Sequence, residues 1–134
     1  MTAPNETSAP KIAFQGSIGA FSHLACSHSY PELQALPCRS FVETFDAVEK
    51  GRAQYAMIPV ENSRAGRVAD IHHLLPEREL YIVGEHFQPI SHHLMATHSA
   101  TMESIQTVRS HIQALSQCRN FIQDNSLTPL VHAD

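Results

Sequence analysis

Three short segments of this 134-residue chain gather side chains that can do chemistry. Pro59-Val60-Glu61-Asn62-Ser63 sets a carboxylate beside a carboxamide directly after an apolar run, a pair suited to protonating or holding an oxygen substituent. A lone Glu-Asn pair at the end of a strand is more often an ordinary solvated loop. In Ser110-His111-Ile112-Gln113-Ala114-Leu115-Ser116-Gln117-Cys118, Ser110 and Gln113 match a capping box, which predicts Ser110 as a helix N-cap. Gln117 lies about two helical turns further on, so both side chains can project from one face. An N-cap hydroxyl with free N–H groups beside it can also receive an oxyanion, and a cap can serve fold and ligand together. The third segment is Gly16-Ser17-Ile18-Gly19-Ala20-Phe21-Ser22. Its glycines permit a tight turn, and the N–H groups of the helix that follows can face an anion. It is not a G-x-G-x-x-G fingerprint, and a turn followed by a helix cap explains it as well.

Ten histidines invite a metal hypothesis that their spacing does not support. His72 and His73 on a helix would point about 100° apart, and His92 and His93 on a strand would face opposite sides. There is no H-x-x-x-H or H-E-x-x-H, so scattered polar and core histidines are expected, with no metal site.

The elements that must position these segments can be read from periodicity. Residues 11–15 read as a strand entering a turn at Gly16, and residues 19–30 as a helix stopped by Pro31. A short extended piece follows at residues 36–39. Ser40 and Glu43 form a second capping-box match, Phe41, Phe45 and Val48 line one face of the helix behind it, and Gly51 is placed to end it. Residues 55–60 form a near-continuous apolar run, as in a buried strand, with Pro59 favouring a strand end or an edge. Val68, Ile71, Leu74 and Leu75 mark a helix halted by Pro76. Residues 80–83 and 90–96 read as strands, as do 105–109. The last of these leads into a helix with Ile112, Leu115, Phe121 and Ile122 on its apolar face. Residues 127–132 read as a final strand with nothing after it to cover it, which points to an incomplete fold. Strands alternating with helices predict an α/β protein with a mixed or parallel sheet, divided into lobes near residues 84–92.

Composition narrows the partner. Apolar residues are 43% and charged residues 16%, a balance that can bury a core. The net charge is −4 with nine scattered Lys and Arg, so no basic stripe offers a nucleic-acid footprint and a small molecule is the better partner. The first ten residues are polar, contain two prolines and read as a disordered tail rather than a secretory signal. No stretch approaches the roughly 18 apolar residues of a membrane span. Cys26, Cys38 and Cys118 are odd in number and widely spaced, as expected of buried or free thiols in a reducing cytoplasm.

Taken in order, these segments resemble the prephenate dehydratase family from about Lys11 to Asp134. The resemblance is carried by the residue 16–22 loop, by Phe41, Phe45, Ala47 and Gly51, and by Tyr55-Ala56-Met57-Ile58-Pro59-Val60-Glu61-Asn62-Ser63 followed by Gly66 and Val68. Ile82-Val83-Gly84-Glu85, Ile90, His93-Leu94 and the Ser110-to-Cys118 motif complete it. It implies a two-lobed, periplasmic-binding-protein-like (type II) α/β fold, incomplete at the C-terminus. Residues 1–10 would be a tail, 11–88 the first lobe and 89–134 part of the second, with the active site between lobes. It also implies a cytoplasmic carbon–oxygen lyase without cofactor or metal. In that reaction prephenate loses its ring hydroxyl and a carboxylate to give phenylpyruvate, on the way to phenylalanine.

By resemblance the catalytic positions are Glu61, Asn62, Ser110 and Gln117. The substrate-binding positions are Gly19, Ala20, Phe21, Ser22, Ser63, His111 and Gln113. Aromatisation drives the reaction, so the enzyme chiefly assists hydroxide departure and holds two carboxylates. Glu61 would protonate or orient the leaving hydroxyl if burial raises its pKa, and Asn62, Ser110 and Gln117 would position the substrate. The chain departs from the family at Ile112, where members usually have Pro, a change that bears on helix rigidity more than on chemistry. The family's catalytic domain also continues to a Thr-Arg-Phe motif and usually to a regulatory ACT domain, neither present here. The chain alone is therefore expected to have little or no activity, and its full-length parent to be a homodimer. Competing readings are an arogenate dehydratase, a two-lobed small-molecule binder and a non-catalytic remnant.

Overall fold

The computed structural model describes residues 9–64 and 66–132. The expected tail therefore lies mostly outside the described residues. The carbonyl of Pro10 already accepts a hydrogen bond from the Gln34 N–H at 2.9 Å, so ordered pairing begins one residue before Lys11.

The chain divides into two compact units. One takes in the described residues through Asn62 together with Gly66–Pro89, and the other takes Ser63 and Arg64 together with the described residues from Ile90 onward.

The first unit is built on β1 (Lys11–Gln15), β2 (Gln34–Cys38) and β3 (Tyr55–Met57), a parallel sheet in the order β2-β1-β3. Two helices connect these strands, α1 (Phe21–Ser29) and α2 (Phe41–Glu49). The central strand reads Ile-Ala-Phe because both of its faces are covered. Ile12 and Phe14 pack with Cys26 of α1, whereas Ala13 packs with Ala47 of α2. Successive strand residues point to opposite faces, so the two large side chains fill one layer and the small one admits α2 closely on the other.

The start of α2 follows the predicted capping box with one change of partner. Ser40 Oγ accepts from the Glu43 N–H at 3.2 Å, but Glu43 Oε2 reaches past Ser40 to the Arg39 N–H at 2.8 Å. At the other end Gly51 sits at φ 68°, with Arg52 N–H bonded to Ala47 C=O and Gly51 N–H to Val48 C=O. This is the Schellman closure that glycine makes inexpensive. Thr44, fully buried, donates its hydroxyl to the Ser40 carbonyl at 2.9 Å, so its polar atom is satisfied within the helix.

Beyond β3 the chain forms a small antiparallel hairpin of β4 (Glu61–Asn62) and β5 (Gly66–Arg67), then α3 (Ala69–Leu74) and a 3-10 turn at Leu75–Glu77. Pro76 sits in that turn, where its missing N–H costs nothing. Arg78 ties this segment back to α2 through Asp46 and Glu49, both at 2.7 Å, with its guanidinium 6.0 Å from the Phe45 ring centre.

Two expected strands are not formed. Residues 80–83 and 90–96 pair with no other described strand, and Tyr81, Ile82 and Val83 are 90%, 74% and 71% exposed. The apolar, β-branched pattern there records a fit to a sheet surface, but a strand also needs a neighbour for its N–H and C=O groups.

The second unit is a βαβ arrangement. β6 (Thr107–Ser110) pairs in parallel with β7 (Thr128–Val131), and α4 (Ile112–Gln117) and α5 (Arg119–Asp124) lie between them in sequence. The single predicted helix is broken at Cys118, and its apolar face is narrower than expected. Leu115 and Ile122 are buried with Leu127, whereas Ile112 and Phe121 remain 54% and 47% exposed. α5 closes on Ser126 at φ 53°, with Leu127 N–H bonded to Ile122 C=O and Ser126 N–H to Gln123 C=O. The same Schellman pattern as at Gly51 is here made by a residue with a Cβ.

Cys26 and Cys38 are buried and Cys118 is half-buried, all as free thiols. Burial pushes the Cys26 thiol up to about 11 and raises Cys38 as well. Among the described residues no helix is long and apolar enough to cross a membrane.

Candidate active site

The strand order β2-β1-β3 places a topological switch beside β1. The chain leaves β1 towards β2 through α1, then returns past β1 to β3 through α2, and the two helices cover opposite faces. In open parallel sheets ligands bind outside the carboxyl ends of the strands at such a point. Two of the three segments singled out above follow those ends directly. Gly16 continues from β1, its N–H bonded to the Cys38 carbonyl at 2.9 Å, and Glu61 and Asn62 follow β3 after Pro59. Because β1 and β3 run parallel in register from Ile12↔Tyr55 to Phe14↔Met57, both segments emerge from the same edge of the sheet.

Within this edge, Gly19 takes φ 96° and ends a turn closed by Ala20 N–H to Ser17 C=O at 3.1 Å. Ala20 is the N-cap of α1, and Phe21 and Ser22, both half-buried, form its first turn. The Gly19 N–H donates to His23 Nδ1 at 3.2 Å. His23 thus reaches back one turn and caps the loop, a role its sequence position did not announce.

Glu61 is exposed and Asn62 half-buried in β4, and Ser63 is exposed just after them. A carboxyl that donates a proton near neutral pH depends on desolvation. Glu61 is exposed in this unit, and its role as an acid was conditional on burial. A cavity of about 560 Å³ in the first unit lies elsewhere. It is bounded by Tyr55 and Met57 of β3 and by residues 80–86, and none of Gly19, Phe21, Ser22, Glu61 or Asn62 lines it. Its walls are mainly apolar.

In the second unit the predicted cap moves by one residue. Ser110 is not the N-cap of α4 but the last residue of β6, registered with Val131 and holding the His132 N–H at 3.0 Å through its carbonyl. The ladder keeps Ser110 extended, so His111 becomes the N-cap and its Nδ1 accepts from the Gln113 N–H at 3.3 Å. Ser110 and Gln117 therefore do not share a helical face, contrary to the expectation. Ser110 instead stands at the carboxyl end of a parallel strand and Gln117 at the end of the helix that follows. Gln117 Oε1 meets His92 Nε2 at 2.9 Å. Gln117 also borders a polar cavity of about 290 Å³ with Arg64, Ser116, Arg119 and Asn120. His92 and the two arginines were not among the predicted positions. The signal of His92 and Arg64 is tertiary, since they lie 25 or more residues from Gln117, whereas Arg119 is its near neighbour in sequence.

These features define an α/β protein with parallel βαβ connections and polar loops at the carboxyl ends of its strands. The chain belongs to the prephenate dehydratase family, whose model matches residues 12–133. It is 47% identical to a bifunctional N-acyl-homoserine lactone acylase/prephenate dehydratase of Komagataeibacter europaeus, over 92% of this chain and 44% of that protein. It is 40% identical to arogenate dehydratase/prephenate dehydratase 2, chloroplastic, of Arabidopsis thaliana, over 82% of this chain and 29% of that one. Against the bifunctional chorismate mutase/prephenate dehydratase of Escherichia coli (strain K12) the identity is 36%, over 84% of this chain and 30% of that one. A solved structure described as GqqA, a novel type of quorum quenching acylases, superposes with TM-score 0.78 at 47% identity, covering 92% of this chain and 45% of that chain. The chain thus spans less than half the length of each of these proteins.

Proposed function

We propose that this chain carries part of the site of a cytoplasmic prephenate dehydratase, acting on prephenate without a cofactor and giving phenylpyruvate. The observation that carries the reading is the family match over residues 12–133, joined to the emergence of the residue 16–22 and 59–63 segments from one edge of a parallel sheet. In this reading residues 11–88 and 89–134 belong to two lobes of a periplasmic-binding-protein-like fold, and the whole protein is a homodimer. Glu61 and Asn62 act at the departing hydroxyl, with Glu61 orienting it or, once substrate has excluded water, protonating it. Ser110 and Gln117 supply positioning hydrogen bonds. Ala20, Phe21 and Ser22 with Gly19 form one wall, and Ser63, His111 and Gln113 complete the contacts. Arogenate differs by an amine in place of the side-chain ketone, and the relatives named for both substrates make it the first competitor.

The test is titration of the isotope-labelled 134-residue chain with prephenate, followed by amide resonances, with phenylpyruvate formation assayed in parallel. The reading expects shifts at residues 61–63 and 110–117, weakened in Asn62→Ala and Gln117→Leu, with turnover low. A chain whose resonances ignore prephenate and phenylpyruvate alike would contradict it.

A second reading is favoured by one observation. The Komagataeibacter europaeus relative and the solved structure, each 47% identical, are both described as acylases. An acylase of N-acyl-homoserine lactones would hydrolyse the amide to a fatty acid and homoserine lactone. Release of homoserine lactone from an acylated substrate by this chain, with no response to prephenate, would select that reading.

A further inference from the structure

Resting on the dehydratase reading, we infer that His92 is a positioning residue that holds the Gln117 carboxamide so that its N–H₂ group, not its oxygen, faces the substrate. The juxtaposition is tertiary: His92 lies in an irregular segment, Gln117 ends α4, and their side chains meet at 2.9 Å between Nε2 and Oε1.

A glutamine side chain has an acceptor end and a donor end of nearly equal shape, and a free carboxamide presents either. An amide oxygen can only accept. His92 Nε2 must therefore carry the proton in this pair, as it does in the Nε2–H tautomer and in the imidazolium. Once Oε1 is held, the two N–H bonds of Gln117 are directed elsewhere. The opposite tautomer, bare at Nε2, would draw the amide N–H₂ and turn the oxygen outward. The position of one proton on His92 thus decides whether Gln117 offers a donor or an acceptor.

The surroundings say which is useful. The charged side chains lining the cavity beside Gln117 are Arg64 and Arg119, both donors, and Asn120 can add another. With Gln117 turned by His92, the cavity carries donors suited to an acceptor-only ligand such as a carboxylate. With Gln117 turned the other way, its oxygen would repel that ligand. A hydrogen bond that organises a donor set in advance lowers the ordering cost of binding.

His92 is exposed, so its replacement leaves the packed core untouched. The experiment uses the whole chain with phenylpyruvate as probe, comparing wild type, His92→Phe, His92→Asn, Gln117→Leu and the double variant His92→Phe/Gln117→Leu. His92→Phe removes the donor and is expected to weaken binding about tenfold. His92→Asn keeps an N–H donor and is expected to restore most of that loss. In the Gln117→Leu background His92→Phe should add nothing, because its effect passes through the carboxamide. The side-chain N–H₂ resonances of Gln117 in the ligand-free chain give an independent readout and should shift in His92→Phe but little in His92→Asn. Unchanged Gln117 resonances in His92→Phe, or an equal loss of binding with and without Gln117, would overturn the inference. If wild type ignores phenylpyruvate while the Gln117 resonances still respond to His92, the positioning role stands and the dehydratase reading falls.

Discussion

The rings of Tyr30 and Tyr55 stack with centroids 5.2 Å apart and planes 23° from parallel. Tyr30 closes α1 and Tyr55 opens β3, so the pair links the first crossover helix to the edge strand that leads to Glu61 and Asn62. Both rings also pack against the Ile12, Phe14 and Cys26 cluster. A double-mutant cycle of Tyr30→Leu and Tyr55→Leu, read by urea denaturation, should return a coupling of about 1 kcal/mol beyond the lost area. Strictly additive losses would mean that the stack only covers the core.

Ala13 is fully buried on the face of β1 that meets Ala47. The two alanines let α2 approach the sheet, so size rather than polarity is constrained. Ala13→Leu is expected to destabilise the first unit by about 2 kcal/mol through overpacking. A denaturation midpoint equal to wild type would show that α2 can move away without cost.

The two Schellman closures predict opposite outcomes for reciprocal changes. Nothing lies within 4 Å of a Cβ built on Gly51, so Gly51→Ala should cost about 1 kcal/mol from backbone conformation alone. Ser126 already bears that strain at φ 53°, and Ser126→Gly should gain roughly 0.5 kcal/mol. Thermal unfolding of the two variants checks both signs.

Asp46 accepts from Lys50 and from Arg78, and these bonds hold its carboxyl below the usual carboxylate range, Lys50 contributing first. A depressed folded-state value adds stability that is present above the unfolded value near 4 and is lost as pH falls through the folded one. Stability measured in urea should therefore decline below about pH 4, and Asp46→Asn should flatten that part of the curve. Lys50 is exposed and Asp46 half-buried, so added salt should shrink the difference in part. An identical acid limb in Asp46→Asn would remove Asp46 from the pH response.

Much of the first unit was legible because its signals are local. The alternation in residues 11–15, the Ser40 and Glu43 spacing and the position of Gly51 each constrain a few neighbouring residues, and β1 and α2 formed as they predict. Pro59 likewise lies beyond the end of an edge strand, β3. The misses came where the outcome depends on a distant partner. Residues 80–83 and 90–96 have strand composition without a strand beside them. Ser110 has the sequence of an N-cap, but pairing with Val131 keeps it in β6 and passes the cap to His111. Burial, the condition on which an acid role of Glu61 rests, is a property of packing that no spacing encodes.

By itself the sequence determined the order of strands and helices from β1 to β3, the segments able to do chemistry and the family that they identify. Hydrophobic period, caps and motif spacing are short-range properties of a chain. Only the tertiary structure decided that the loops after β1 and β3 leave one sheet edge, that pairing of Ser110 with Val131 passes the cap of α4 to His111, and that His92 meets Gln117. Each of these depends on which distant segments the packing of β1, α2 and the βαβ unit brings together, and a linear pattern carries no distance between such segments.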